Sequence, residues 1–373
     1  MIIIREVVTR MGQAERKKLY KQIEKHRGCP LIAYVTSGRQ GAQGMISSDA
    51  MRKFVEQLFS LPKDTKKIDL LINSLGGDGL ASWRLITMIR EFLGHEGYIT
   101  CLVPYYAFSA GTLIAVGSNE IFMHPMASLG PVDPQIIVQT QGGATQFAYE
   151  DLAAYTNFLK EEGGLTEQTE KSGLLQSLVG EIKPSVIGAS KRSSMQSIIM
   201  AQKLMKLHMT GADSQKAEII AEKLSKSFFS HGHALSHKEA SDLGLKISKT
   251  DSVLENLIWE VFVDFEKEMK MDEIFDPVML YLNDPRSISM LQPPPIVNIP
   301  ANTPPQMVQQ IWQQVLSQIS TASGPVLDFK LVFASVESSR LSVTYIREGK
   351  IFGSRQPDLN FLIGMPRLAE KWE

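Results

Sequence analysis

A chain of 373 residues with a 43% hydrophobic share has apolar material for one large α/β domain and something smaller. A formal net charge of −1 excludes an electrostatic footprint for nucleic acid or an anionic membrane. Two cysteines, Cys29 and Cys101, exclude a disulfide framework and suit a reducing, cytoplasmic compartment in which both are plain buried thiols.

Residues 11–27 are charged and helix-periodic, a solvated helix leading into the domain. Pro30 to Val35 reads as the first core strand and Gly38 to Gly44 as a flexible loop. Ser47-Ser48-Asp49 then caps a helix carrying Met51, Phe54, Val55 and Leu58. The apolar run Ile68 to Ile72 is a second strand. It is followed by the turn Asn73-Ser74-Leu75-Gly76-Gly77-Asp78-Gly79 and a helix with Leu80, Trp83, Ile86, Ile89 and Leu93 on one face. The unit repeats: a strand from Tyr98 to Val103, the turn Ala107-Phe108-Ser109-Ala110-Gly111, and a small-residue helix to Ala115. A short strand, Glu120 to Met123, precedes a Gly/Pro-rich extended edge at 127–134. This alternation predicts a mainly parallel sheet with crossover helices. The uncharged run Gly97 to Asn119 divides into strand, turn and helix, so it is a core unit and no membrane span. A second uncharged run, Ser287 to Leu327, is too rich in proline, glutamine and serine to span.

Beyond the linker beginning at Gln141-Gly142-Gly143, helices are expected over 146–162, 166–180, 184–209 and 213–225. Met195, Met200, Met205 and Met209 mark the third, as core or as a subunit contact. His231, His233 and His237 lack a carboxylate or cysteine at ligand spacing, and a structural role is favoured over metal. An amphipathic helix covers 249–270. The prolines 293–295, 300 and 304–305 mark a linker. A helix (307–319) and two strands (326–336 and 340–347, joined at Glu337-Ser338-Ser339) form a small α+β module without catalytic residues, suited to docking a protein partner or to oligomerisation. The expected division is 1–29, a helical lead-in; 30–270, the main domain; 271–303, the linker; and 304–373, the module.

The two strand-to-helix turns carry the chemistry. Main-chain N–H groups at a helix start have no intrahelical partner and can hold an oxyanion. Gly77 on one turn and Ala110 on the other are placed to do so, with Gly76 beside them, and Ser109 points its hydroxyl off a helix N-terminus as a nucleophile. Taken singly, each turn has a plainer reading, as a glycine turn or an N-cap.

Ile72-Asn73-Ser74-Leu75-Gly76-Gly77, Phe108-Ser109-Ala110-Gly111-Thr112 and Ala127-Ser128-Leu129-Gly130-Pro131-Val132-Asp133-Pro134-Gln135 resemble the signature of the serine dehydrogenase proteinases. These belong to the Clp-protease and crotonase superfamily, related to signal peptide peptidases of the A type. The resemblance covers about residues 30–250. It implies a Clp/crotonase-like βαβ superhelix with a helical segment, homo-oligomers, and a serine endopeptidase that needs neither ATP nor metal. It also implies a peptide substrate bound at Gly76 and along the edge at Gly130 and Pro131 by strand addition. Many relatives carry a membrane anchor, which is not expected here.

The Clp-type histidine is missing after the edge strand, and His124 comes too early, so it is read as structural. The resemblance then implies a Ser-Lys dyad with Lys191 as base. A different register puts Arg192 there, and arginine stays charged and cannot act as a base. Lys160, Lys171 and Lys183 stay open. A crotonase-type acyl-CoA enzyme, which would not need Ser109, and a non-catalytic oligomeric peptide-binding scaffold are the alternatives. No Gly-x-Gly-x-x-Gly fingerprint follows a strand, and no nicotinamide or other cofactor is expected.

Overall fold

The computed structural model describes residues 12–134, 136–140, 143–164, 173, 176, 182–211, 213–226, 232–287, 298–318, 322–356 and 360–373. Most of the helix expected at 166–180, together with Lys171, His231 and Pro293 to Pro295, lies outside the described residues. The fold is mixed α/β. It divides into two compact units: residues 1–36, 45–266 and 335–343 form the first, and 37–44, 267–334 and 344–373 the second.

In the first unit the apolar runs become a parallel sheet. β1 (Leu31–Thr36) is buried throughout, and β2 (Lys67–Asn73) at all but its first residue. Strands covered on both faces are continuously apolar rather than alternating, as a parallel sheet between helices requires. β3 (Tyr98–Val103) pairs with β2, and β5 (Glu120–Met123) pairs with β3. The register sets Ala33 opposite Leu71, Leu70 opposite Cys101, and Cys101 opposite Ile121. The crossovers are α2 (Met51–Phe59), α3 (Gly79–Leu93) and α4 (Ala110–Gly117). Because the strands are parallel, the turns leaving β2 and β3 emerge at one edge. A short second pairing lies there, between β4 (Tyr106–Ala107) and β6 (Ser128–Leu129).

A hairpin of β7 (Ile136–Thr140) and β8 (Gly143–Phe147) replaces the linker expected around Gly142-Gly143. Then come α5 (Tyr149–Glu161), α6 (Pro184–Lys206), α7 (Asp213–Lys226), α8 (His237–Asp242) and α9 (Ser252–Met269). Both cysteines are buried free thiols; burial pushes Cys29 up to about 12 and raises Cys101 as well, so both stay protonated and unreactive.

The leading helix, α1 (Gln13–Arg27), ends at Gly28, whose φ of 66° lets its N–H return to the Glu24 carbonyl at 2.8 Å. At that end Arg27 binds Asp69 of β2 at 2.7 Å. Its other anchor is a buried charge cluster. Arg16 donates to both oxygens of Glu337, at 3.0 and 2.8 Å, and to Asp264 of α9, and its guanidinium lies 4.1 Å over the Phe265 ring. The Tyr20 hydroxyl joins Glu337 at 2.9 Å. Glu337 stands at the tip of the hairpin formed by β9 (Ala322–Ser338) and β10 (Ser342–Arg355), and Gln57 of α2 donates to Val336 and Leu341 of the same tip.

The second unit continues β9 and β10 as a sheet with β11 (Phe361–Gly364) and β12 (Arg367–Trp372), both paired antiparallel to β10. Its core holds Ala42, Phe275, Tyr281, Leu327, Phe329, Leu331, Phe333 and Ile351. Phe275 and Tyr281 come from the segment read as linker. There Asp276 caps α10 (Pro277–Leu282) by accepting from Val278 N–H at 2.8 Å. The units are thus interleaved along the chain, not consecutive as read from the sequence. α11 (Pro305–Gln318) matches its expected helix.

Candidate active site

The turns after β2 and β3 are stitched together by backbone. Ser74 N–H donates to Tyr106 O at 3.0 Å, and Phe108 N–H donates to Ser74 O at 2.9 Å. Behind them the Thr36 hydroxyl donates to Ser74 Oγ at 2.8 Å, and Gly76 N–H donates to the same oxygen at 3.1 Å. Ile46 then borders the glycine turn: its N–H donates to Gly76 O and its carbonyl accepts from Asp78 N–H, both at 2.8 Å. Gly76 and Gly77 have φ of 127° and 142°, which L side chains rarely adopt. A Cβ on Gly76 would stand 3.0 Å from Ser109 Cβ, and one on Gly77 would overlap the Ile46 carbonyl. Two glycines are therefore what lets the first turn approach the serine.

Ser109 sits at the N-cap of α4 with φ 50° and ψ −109°. Such a conformation costs about 1–3 kcal/mol outside glycine and persists where the surroundings impose it, often at a functional site. Here the imposing contacts are visible: Gly111 N–H donates to Phe108 O at 2.8 Å, Ser82 Oγ donates to Ala110 O at 2.8 Å, and Leu113 N–H donates to Ser109 O at 3.0 Å. Ser109 is half-buried and, among the described residues, its hydroxyl has no hydrogen-bond partner. The same holds for the N–H groups of Gly77 and Ala110. The nucleophile and both oxyanion donors expected from sequence therefore converge on one edge of the sheet.

The substrate edge does not emerge as expected. Gly130 and Pro131 are buried. Gly130 N–H donates to Ala107 O at 3.2 Å, and its carbonyl lies 2.8 Å from the Thr112 hydroxyl. Leu129, on the other side, exchanges backbone hydrogen bonds with Leu235 at 3.1 and 2.8 Å. With β4 on one flank and Leu235 on the other, this strand has no free edge for addition. A Cβ on Gly130 would come 2.8 Å from the Phe108 ring, so its lack of a side chain serves packing next to Ser109.

Lys191 lies on α6, exposed and without a partner among the described residues. The phase of the helix explains this. Met200 of α6 packs at Gly79 and Leu204 at Gly117, so α6 runs beside α3 and α4. Nine residues are two and a half helical turns, which puts Lys191 on the face opposite Met200. Lys160, Lys183 and Arg192 are also exposed. Among the described residues no lysine is hydrogen-bonded to Ser109. Sequence reasoning missed a buried polar group on the same helix: Ser194 Oγ donates to Glu150 of α5 at 2.6 Å, and the second Glu150 oxygen and Ser190 Oγ are buried without a partner among the described residues.

His124 is occupied elsewhere. Its Nδ1 accepts from Met126 N–H at 3.1 Å, and its ring stacks on Trp259 at 4.8 Å. Burial holds its pKa below the ordinary histidine value, against an opposing pull from Glu255. His208 is lowered too, by burial first, against its hydrogen bond to Val116 O. Stability contributed by these neutral rings is full above about pH 6.5 and is lost as pH falls through the lower folded values. Urea midpoints are expected to drop across that window, and less steeply in His124→Gln; an equal slope in the variant would remove His124 from the account. The His233 imidazole meets Glu239 at 3.3 Å beside the α8 N-terminus, and no three metal-ligating side chains converge among the described residues. Nor, among them, is any helix long and apolar enough to cross a membrane.

Comparison with known proteins bears on this edge of the sheet. Residues 1–149 match the ClpP-like SDH-type serine proteinase family. The chain is similar to two uncharacterised proteins of Methanocaldococcus jannaschii. It is 25% identical to MJ1495 over 256 residues, 66% of this chain and 76% of that protein. It is 30% identical to MJ0137 over 144 residues, 36% of this chain and 48% of that protein, so it spans about half of that relative. Among solved structures it is similar to two mutants of the 1510-N membrane-bound stomatin-specific protease. One is a serine-to-alanine mutant (18% identity, 61% of this chain, 85% of that chain, TM-score 0.36). The other is a lysine-to-alanine mutant in complex with a substrate peptide (20% identity, 60% of this chain, 77% of that chain, TM-score 0.35). Residues 1–149, the stretch that matches this family, hold β1 to β8 and every element of the Ser109 turn.

Proposed function

We propose that the protein is a serine peptidase that cleaves peptide bonds through an acyl-enzyme on Ser109. The observation that carries this reading is the strained Ser109 at the start of α4, beside two main-chain N–H groups that have no other partner among the described residues. In the proposed reaction the Ser109 hydroxyl attacks the scissile carbonyl and gives its proton to a neutral lysine. The Gly77 and Ala110 N–H groups hold the oxyanion. The C–N bond breaks as the lysine returns the proton to the leaving amine, and water then hydrolyses the ester. No metal or nucleotide enters the scheme.

Lys191 is the proposed base, with Lys183 and Lys160 as the other described lysines considered. An ammonium approaches neutrality only when water is kept from it, and all three are exposed. The reading therefore requires an assembly step, such as a homo-oligomer or substrate closure, that covers the base. Peptide docking is assigned to the Gly77 side of the site rather than to Gly130 and Pro131. Met45, Leu75 and Leu80 are exposed around that turn and offer apolar contact to substrate side chains.

A fluorophosphonate serine-hydrolase probe tests this on the whole protein. Labelling is expected in the wild type, absent in Ser109→Ala, and lost in Lys191→Ala. Retention in Lys191→Ala moves the base to Lys183, Lys160 or Lys171. A folded wild type that never labels would count against autonomous peptidase activity and favour the scaffold reading, which the exposure of every described lysine candidate supports.

A further inference from the structure

At the far end of α4 from Ser109, the first unit has a cleft of about 450 Å³, within the range of small-molecule sites. The starts of β3 and β5, the end of α6 and the start of α7 form it. Met205, Met209 and Leu245 give it an apolar lining. Two opposite-charge pairs stand on it. From the strand side, Lys246 Nζ donates to the Tyr98 hydroxyl at 3.0 Å, and that hydroxyl donates to Glu120 at 2.9 Å. From the helix side, Lys216 meets Asp213 at 2.7 Å. Between them His208 Nε2 lies 2.9 Å from Val116 O. A carbonyl only accepts, so Nε2 carries the proton. Nδ1 is then an acceptor, with no partner among the described residues.

This charge pattern selects the ligand. Two cations and two anions around one cleft of mixed polar and apolar lining give a singly charged molecule no net attraction, since whatever draws it is offset by its opposite. A molecule carrying both signs a few bonds apart meets both pairs at once. We propose that this cleft is a second ligand site, for a zwitterionic amino acid or dipeptide with an apolar side chain. The carboxylate goes to the lysine ammonium groups, the ammonium goes to Glu120 and the His208 Nδ1, and the side chain lies on Met209 and Leu245, next to the buried Met205. The site uses no residue of the Ser109 turn and stands whether or not the peptidase reading holds. Where that reading does hold, the ligand class coincides with the end products of peptide hydrolysis.

The experiment uses full-length Ser109→Ala protein with methyl-labelled methionine, titrated with L-leucine and L-leucyl-L-leucine. Using this variant separates binding from turnover. The Met205 and Met209 methyl resonances are expected to shift on titration. N-acetyl-leucine and leucinamide, each lacking one charge, should bind at least about tenfold more weakly, as should the zwitterions to Lys246→Met. Lys246 is exposed, so that variant tests the contact without threatening the fold, and the blocked ligands need no variant at all. No shift of these two methyls up to about 10 mM ligand, or equal binding of the blocked ligands, would overturn the proposal. Shifts confined to methionines away from the cleft would do so as well.

Discussion

Ser109→Ala is expected to lower peptide hydrolysis by about five to six orders of magnitude, the loss seen when the nucleophile of a cooperating catalytic group is removed. The structure adds a second, separable expectation. Ala inherits the φ of 50° and ψ of −109° that the neighbouring turn imposes, whereas glycine adopts them freely. Ser109→Gly should therefore be as inactive as Ser109→Ala yet more stable than it by about 1–3 kcal/mol. Denaturant unfolding of the two variants, side by side, reads the backbone term without the side chain. Equal stabilities would mean that the turn stores no strain. Activity surviving in both variants would transfer the oxyanion donors to an acyl-CoA enolate and leave Ser109 a cap.

Arg16→Met is expected to destabilise the protein by about 3–5 kcal/mol, because it strands buried carboxylates. Arg16, Asp264 and Glu337 are each only 1% exposed. One Asp264 oxygen already lacks a partner among the described residues. Burial alone would raise Glu337, but the Arg16 hydrogen bond and charge outweigh it and hold the carboxyl below its usual range. Its contribution is thus full above about pH 4.3 and disappears as pH falls through the lower folded value. The double variant Arg16→Met, Glu337→Gln should recover part of the loss, since it removes one stranded charge. A thermal midpoint unchanged in Arg16→Met, or a double variant no better than the single, would show that the cluster does not hold α1 to the hairpin.

The strand–helix core was legible because its signals are local and redundant. Apolar runs such as Ile68 to Ile72, each ending in a turn with Gly or Ser, fix both the element and its exit. The approach of Gly76 to Ser109 followed from two such units standing parallel. The β7–β8 hairpin was not legible. Gln139, Thr140, Thr145 and Gln146 surround Gly142-Gly143 with polar residues, and no apolar alternation marks the strands. Lys191 shows the limit at the site. Its helix was readable, but the phase of that helix depends on Met200 meeting Gly79, a contact between distant residues. Glu337-Ser338-Ser339 reads as a hairpin turn, and only the partner 321 residues away shows why its glutamate is buried.

The interleaving of the two units bears on synthesis. The hairpin tip at 335–343 completes the unit that contains Ser109, yet it is translated long after Ser109. Until then Arg16 has no Glu337, and Gln57 has no Val336 or Leu341 to bind. Ser109, Gly77 and Ala110 are translated before the tip that completes their unit, so until then they stand on an unfinished scaffold.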